Sequence, residues 1–275
     1  SVLIAVYSVT RPGAMEGVKY FLVPNVKNFS WMTVVAAMGQ MFYSLSIAMG
    51  ILITFGSYMK KETSLEDSTR NVEVFDTAIA IMAGLMIIPA VFAFSGGDPD
   101  TLQAGPALMF ITIPKVFENM GFGTVVGILF FLLVLFAAVT SSIALTESAV
   151  STFEDELGWS RRRATVLVGV IMIALGSLSS LGYGPLVGIK IIGMQFLDFF
   201  DFLTNSVMMP IAAMLTSLFV SRIVGMKRME EEIMHGESTF RRKKIFIVMI
   251  KYLCPVFALI ILISSVANAF GWIAM

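Results

Sequence analysis

Between Ala36 and Tyr58 the chain reads AAMGQMFYSLSIAMGILITFGSY. The run is apolar and long enough to cross a bilayer, which takes about 20 residues. It nevertheless carries Gly39, Gln40, Ser44, Ser46, Gly50, Thr54 and Gly56. Small and polar residues at this density weaken an uninterrupted helix, and the sequence predicts unwinding near Ser46–Gly50. Backbone carbonyls freed at membrane depth need partners, and an ion or a substrate in a cavity is one solution. Close helix–helix contact through small residues is the other. Composition alone does not choose between them.

The rest of the chain sets that segment in a membrane. Hydrophobic residues make up 57% and charged residues 14%, with a mean hydropathy of +0.86, where a soluble domain carries about a quarter charged residues. Besides Trp31–Met59, apolar runs predict spans near Val74–Phe94, Thr124–Phe153, Ala164–Leu181, Ile189–Val220 and Ile245–Phe270, six in all. The opening run Ser1–Val9 is too short to span and reads as the tail of a helix, so a fragment of a longer protein is expected. Gly96–Gly123 is too interrupted to span and reads as a lid or re-entrant element, with a weak helical pattern from Pro106 to Met120.

Charge gives an orientation. Lys60, Lys61 and Arg70 share one side with Arg161, Arg162 and Arg163, and with the cluster Arg222, Lys227, Arg228 and Arg241–Lys244. Stretches 60–73, 154–163 and 221–244 are therefore expected on the cytoplasmic side of a cell (inner) membrane. A formal net charge of zero gives no reason to expect nucleic acid. One Cys and one His leave nothing for a disulfide framework or a Cys/His metal cluster. No nucleophile–base pair lies at membrane depth, so an enzyme is not expected. The 20 Met and 23 Phe fit lipid-facing packing.

Two further features cost energy in a bilayer. Thr140, Ser141 and Ser142 stand together in LLVLFAAVTSSIALTES, Leu132–Ser148, and hard oxygens of this kind suit Na⁺. Asp76 is read at the start of the second span, Glu147 within the third, and Asp198 and Asp201 in the fifth. Such carboxylates are normally paired or functional.

At these residues the sequence resembles the neurotransmitter:sodium symporter family in its bacterial amino-acid branch. GQMFYSLSIAMGILITFGSY is similar to the sixth transmembrane helix of that family, FITIPKVFENMGFGT to its lid loop, AAVTSSIAL with FEDEL to the eighth helix, and FLDFFDF to the start of the tenth. The resemblance implies an all-α polytopic membrane protein: the second inverted repeat of the leucine-transporter-type fold, helices six to ten with a discontinuous helix six, plus helix eleven. Residues 1–9 would end helix five, 10–30 would form an extracellular loop, and 31–224 the repeat with its lid at about 96–122. Residues 225–244 would be a cytoplasmic loop, and 245–275 helix eleven and the C-terminus. The missing N-terminal helices would supply half of each site.

The resemblance implies sodium-coupled symport of a neutral amino acid by alternating access. Ser44 and Asp76 would serve a first Na⁺, and Ala137, Thr140 and Ser141 a second. Tyr43, Ser44, Ser46, Met49, Ser141 and Leu145 would contact the substrate. Gln40 and Asp201 would form an extracellular gate, Tyr58 and Asp155 a cytoplasmic one. Asp76 stands where many members have Asn, and its fixed charge predicts transport without chloride. Ala48 replaces a glycine of many relatives and predicts a narrower pocket, for medium apolar side chains rather than tryptophan. A channel or carrier for another solute on the same scaffold, and a non-transporting receptor or scaffold, are the alternatives.

Overall fold

A computed structural model describes residues 2–95, 105–118, 121–236 and 239–272. It is helical throughout, apart from a single bridge between Ile191 and Met194. In chain order the helices are α1 Val2–Val9, α2 Ala14–Leu22, α3 Trp31–Ser44, α4 Ile51–Ser57, α5 Leu65–Ser95, α6 Ile113–Glu118, α7 Gly123–Leu157 and α8 Arg161–Leu181. They are followed by α9 Phe196–Val224, α10 Met226–Ile233 and α11 Lys243–Ala269.

Five of these, α5, α7, α8, α9 and α11, are long and apolar enough to cross a membrane among the described residues. The expected sixth span is not one helix. Trp31–Met59 is divided into α3 and α4, because residues 45–50 leave the helical path. The stretch 10–30 also differs from expectation. It holds α2, started by Gly13 at φ 82° and closed at Val23, just before Pro24. Of the expected lid, residues 96–104 and 119–120 lie outside the described residues; the rest contains α6.

Local chemistry explains the boundaries. Ser30 caps α3 by a reciprocal capping box, its side chain accepting from the Thr33 N–H while Thr33 returns the bond to Ser30. Ser64 Oγ accepts the Asp67 N–H at 3.0 Å, and Glu66 and Asp67 lie in the first turn of α5, where the positive end of the helix dipole favours them.

Among the described residues four helical stretches widen to the i→i+5 pattern, at Leu108–Thr112, Phe202–Met208, Val220–Val224 and Met249–Leu253. All but Val220–Val224 lie shortly before a proline, Pro114, Pro210 or Pro255. A proline ring crowds the carbonyl four residues earlier and offers no N–H to it. An extra residue in the preceding turn relieves that conflict.

The described residues fall into two compact units. The first comprises residues 1–29 and 72–141, and its core gathers Ile4, Ala90, Val91, Ile113, Val116, Phe117 and Phe130. Here helices approach through small residues, as helices do in lipid, where there is no hydrophobic drive between them. A Cβ on Gly17 would lie 2.9 Å from Pro89 Cα, and one on Gly84 would overlap the Phe21 ring at 2.2 Å.

The second unit comprises residues 30–71 and 142–275. One cluster joins Phe42 of α3 to Met209 and Ala213 of α9 and to Ala258 and Ile261 of α11. Another joins Val150 of α7 to Ala164 and Val168 of α8.

Candidate functional site: the interrupted segment and its surroundings

The interruption in the second unit is built from three left-handed residues in alternation. Ser46 has φ 54°, Ala48 φ 63° and Gly50 φ 79°. Only glycine adopts this region without penalty; an L-residue there costs roughly 1–2 kcal/mol. Two of the three are not glycine, and strain of this kind persists where surrounding structure fixes it. On either side, α3 ends with the Leu45 N–H on Met41 O at 3.1 Å, and α4 begins with the Thr54 N–H on Gly50 O at 3.0 Å.

The segment is held from two sides. Ile47, Ala48 and Met49 pack on the cluster around Phe42, Met209 and Ala258. On the other side a Cβ on Gly50 would come 2.7 Å from Ser148 Oγ of α7. One turn further, buried Thr54 meets Ser148 Oγ and Ser151 Oγ, each at 3.4 Å. Ser148 and Ser151 share a face of α7 by their spacing, and they place hydroxyls against α4 without a charge.

A charged cluster adjoins it. Tyr58 donates its hydroxyl hydrogen to Glu147 Oε1 at 2.7 Å. Arg161, which opens α8, grips Oε2 of the same carboxylate and reaches Glu154 Oε2 at 3.1 Å. Glu147 is thus a paired carboxylate. Beside it, a cavity of about 610 Å³ is lined by Thr54, Ser57, Tyr58, Ser151, Thr152, Glu154 and Asp155.

The expected site residues can be placed on this frame. Tyr43 and Ser44 end α3, both exposed, while Ser46 and Met49 belong to the interrupted segment. Ser46 lines a mainly apolar cavity of about 380 Å³ with Met38, Ala48, Ala213, Thr216 and Phe257. Leu145 is exposed on α7. Tyr58 and Asp155 share the 610 Å³ cavity, although the hydrogen bond from Tyr58 goes to Glu147. Gln40 and Asp201 are both exposed, and Asp201 Oδ1 accepts from Asn205 Nδ2. Asp198 accepts a long 3.4 Å bond from Tyr183. Partial burial, and then this carboxylate, push the Tyr183 phenol above its ordinary value.

The first unit holds the others. Ala137, Thr140 and Ser141 are exposed on α7. Thr140 Oγ1 donates to the carbonyls of Phe136 and Ala137, both at 3.0 Å. The Ala137 carbonyl and the Thr140 hydroxyl are therefore adjacent oxygens, with Ser141 next along the helix. Asp76 lies roughly three turns inside α5 rather than at its start, because the helix begins at Leu65. Ser44 and Asp76 belong to different units.

The sequence reading did not single out Thr54, Ser148, Ser151, Glu154 or Arg161 as a group. The signal available was the spacing of Ser148, Ser151 and Thr152 on α7.

Over residues 1–271 the chain matches the sodium:neurotransmitter symporter family. It belongs to that family. Among its relatives in the family is the uncharacterized sodium-dependent transporter YhdH of Bacillus subtilis, 33% identical over 237 residues, 86% of this chain and 52% of the relative. An uncharacterized sodium-dependent transporter of Haemophilus influenzae is 32% identical over 263 residues, 95% of this chain and 56% of the relative. The chain thus spans about half the length of these two relatives. Its fold is similar to the crystal structure of MhsT in complex with L-phenylalanine, with a TM-score of 0.83 and 35% identity over 96% of this chain and 59% of that one. As a member of the sodium:neurotransmitter symporter family with five helices, among the described residues, long and apolar enough to cross a membrane, it is a multi-pass membrane protein. The family is one of transporters, not enzymes.

Proposed function

We propose that this chain forms the later half of a carrier that couples Na⁺ to the symport of a neutral, hydrophobic amino acid by alternating access. The observation that carries the reading is the interruption between α3 and α4. It leaves backbone groups outside the helical ladder within a segment of membrane-spanning length, and irregular backbone at that depth is tolerated where it lines a cavity. Family membership and the sodium-dependent relatives support the same reading.

In this reading α3–α4, α5, α7, α8 and α9 are helices six to ten, the second inverted repeat, and α11 is helix eleven. Helices contributed by the rest of the carrier complete the sites. Ser44 and Asp76 serve one Na⁺; the carbonyl of Ala137 and the hydroxyls of Thr140 and Ser141 serve another. Tyr43, Ser44, Ser46, Met49, Ser141 and Leu145 face the substrate. Gln40 and Asp201 close the outer side; Tyr58 and Asp155 close the inner one. The basic stretches 60–73, 154–163 and 221–244 face the cytoplasm across an inner membrane. Ion and substrate stabilise one occluded state, so each raises the affinity of the other.

The test is uptake of labelled amino acids into proteoliposomes holding the whole carrier, with and without an inward Na⁺ gradient. Sodium-stimulated uptake of one neutral amino acid, abolished by Asp76→Ala or Ser141→Ala, is expected. Ion flux without amino-acid uptake would move the assignment to a channel or another solute. Neither flux nor uptake by folded protein would favour a receptor or scaffold.

A further inference from the structure

The second unit contains a further, amphiphilic cavity of about 410 Å³, which shares Met249 and Ile250 with the cavity that Ser46 lines. Its walls are Leu65 at the start of α5, Ile233 at the end of α10, Phe240 just before α11, and Phe246, Met249 and Ile250 within it. Its polar lining is Glu66, Thr69, Arg70 and Arg242. The Arg241 N–H donates to Glu66 Oε2 at 3.1 Å, which ties the entrance of α11 to the first turn of α5. Lys243 is paired with Glu230 of α10.

The two kinds of lining differ in depth along the helices. Arg70 and Arg242 lie near the polar ends of α5 and α11, where Arg241 and Lys244 add positive charge against the single carboxylate of Glu66 in the lining. Met249 and Ile250 lie further along α11, inside a membrane-crossing helix. A pocket with cationic groups at the headgroup level and an apolar floor at acyl depth matches a molecule that is anionic at one end and hydrocarbon at the other. Soluble anions would gain nothing from the floor, and a purely apolar ligand nothing from the arginines.

We propose that this cavity binds an anionic glycerophospholipid, its phosphate held by Arg70 and Arg242 and one acyl chain lying along Phe246, Met249 and Ile250. Occupancy joins α5, α10 and α11 at one end of the unit. The inference rests on the chain spanning a membrane and is independent of what it transports.

The test uses the whole carrier purified in detergent, with thermal unfolding followed in four additions: none, phosphatidylglycerol, phosphatidylcholine, and inorganic phosphate. Phosphatidylglycerol alone is expected to raise the unfolding temperature. Arg70→Gln and Arg242→Gln should each weaken the lipid's apparent affinity roughly five-fold, and Arg→Lys at both positions should restore most of it. Phe246→Ala, which removes part of the apolar lining without altering charge and lies outside the cavity around Ser46, should also weaken the shift. Native mass spectrometry should show one phosphatidylglycerol retained by the parent protein and lost from the double Arg→Gln variant. An equal shift with phosphatidylcholine would overturn the proposal in favour of an acyl-chain groove. An equal shift with inorganic phosphate would overturn it in favour of a simple anion site. An unchanged phosphatidylglycerol shift in the double variant would place the lipid elsewhere.

Discussion

Gly50 faces Ser148 so closely that a Cβ on the glycine would lie 2.7 Å from the serine Oγ. That contact joins the point where α4 starts to the last third of α7. It combines two demands on one residue, a positive φ of 79° and the absence of a side chain. Gly50→Ala should therefore destabilise the fold by about 2 kcal/mol or more, from left-handed strain plus overpacking. Gly50→Ala with Ser148→Gly should recover only the steric part. Thermal unfolding in detergent would separate the two contributions, and full recovery would show that the backbone angle costs nothing.

Ala48 predicts the opposite sign. At φ 63° its methyl group stands where glycine is tolerated freely. Ala48→Gly should stabilise by roughly 0.5 kcal/mol once the greater freedom of the unfolded chain is discounted. In uptake competition it should also widen preference toward larger side chains such as tryptophan. Loss of stability would mean that Ala48 contributes more through its packing on the Phe42–Met209 cluster than it costs in strain.

Thr54 is buried among two hydroxyls, both at the long end of hydrogen-bond distance. Thr54→Val keeps the shape and removes the hydroxyl, while Ser151 Oγ keeps its bond to the Ser148 carbonyl. A loss of about 1 kcal/mol is expected. Chemical denaturation of the variant, compared with Ser151→Ala, tests whether the hydroxyls act as a group: the double variant should lose less than the sum of the singles.

Glu147 serves two partners, Tyr58 and Arg161, on its two oxygens. Glu147→Gln and Arg161→Gln should be non-additive, because either change breaks the same pair. Tyr58→Phe should couple to both, since Tyr58 bonds the same carboxylate. If the cluster closes the inner side, each variant should raise the accessibility of a cysteine introduced at Ser57. Additive effects on both readouts would show that the pair is not formed in the membrane.

Chloride provides a test of the first ion site. The proposal that Asp76 serves a first Na⁺ with its fixed negative charge predicts that sodium-driven uptake is unchanged when gluconate replaces chloride. Asp76→Asn should make uptake chloride-dependent or abolish it. Uptake by the parent carrier that fails in gluconate would remove the charge-balance argument.

Much of this architecture is legible in the sequence because membrane helices announce themselves by length and apolarity. The interruption near Ser46–Gly50 was legible too, from the density of Gly and Ser in an otherwise apolar run. Which residues carry it was not. A reader of IAMG expects the glycine to turn the chain, yet Ser46 and Ala48 also adopt positive φ. That choice is imposed by packing on α9 and α11, which no local propensity encodes. The pairing of Glu147 was equally hidden. An intramembrane carboxylate signals that a partner exists, but selecting Arg161 over Arg162 or Arg163 depends on how α8 is rotated. Helix α2 differs from expectation because its nine residues, Ala14–Leu22, give too short a pattern to distinguish from a loop.

Pro89 deprives the Leu85 carbonyl of its usual donor within α5. The fully buried Ser8 hydroxyl donates to the neighbouring carbonyl of Met86 at 2.9 Å, and Gly17 lies against Pro89 itself. The corner made by α1 and α2 therefore acts as a splint across the weak point of α5. Any flexing of that helix must either drag the splint along or begin on the far side of it, toward Asp76.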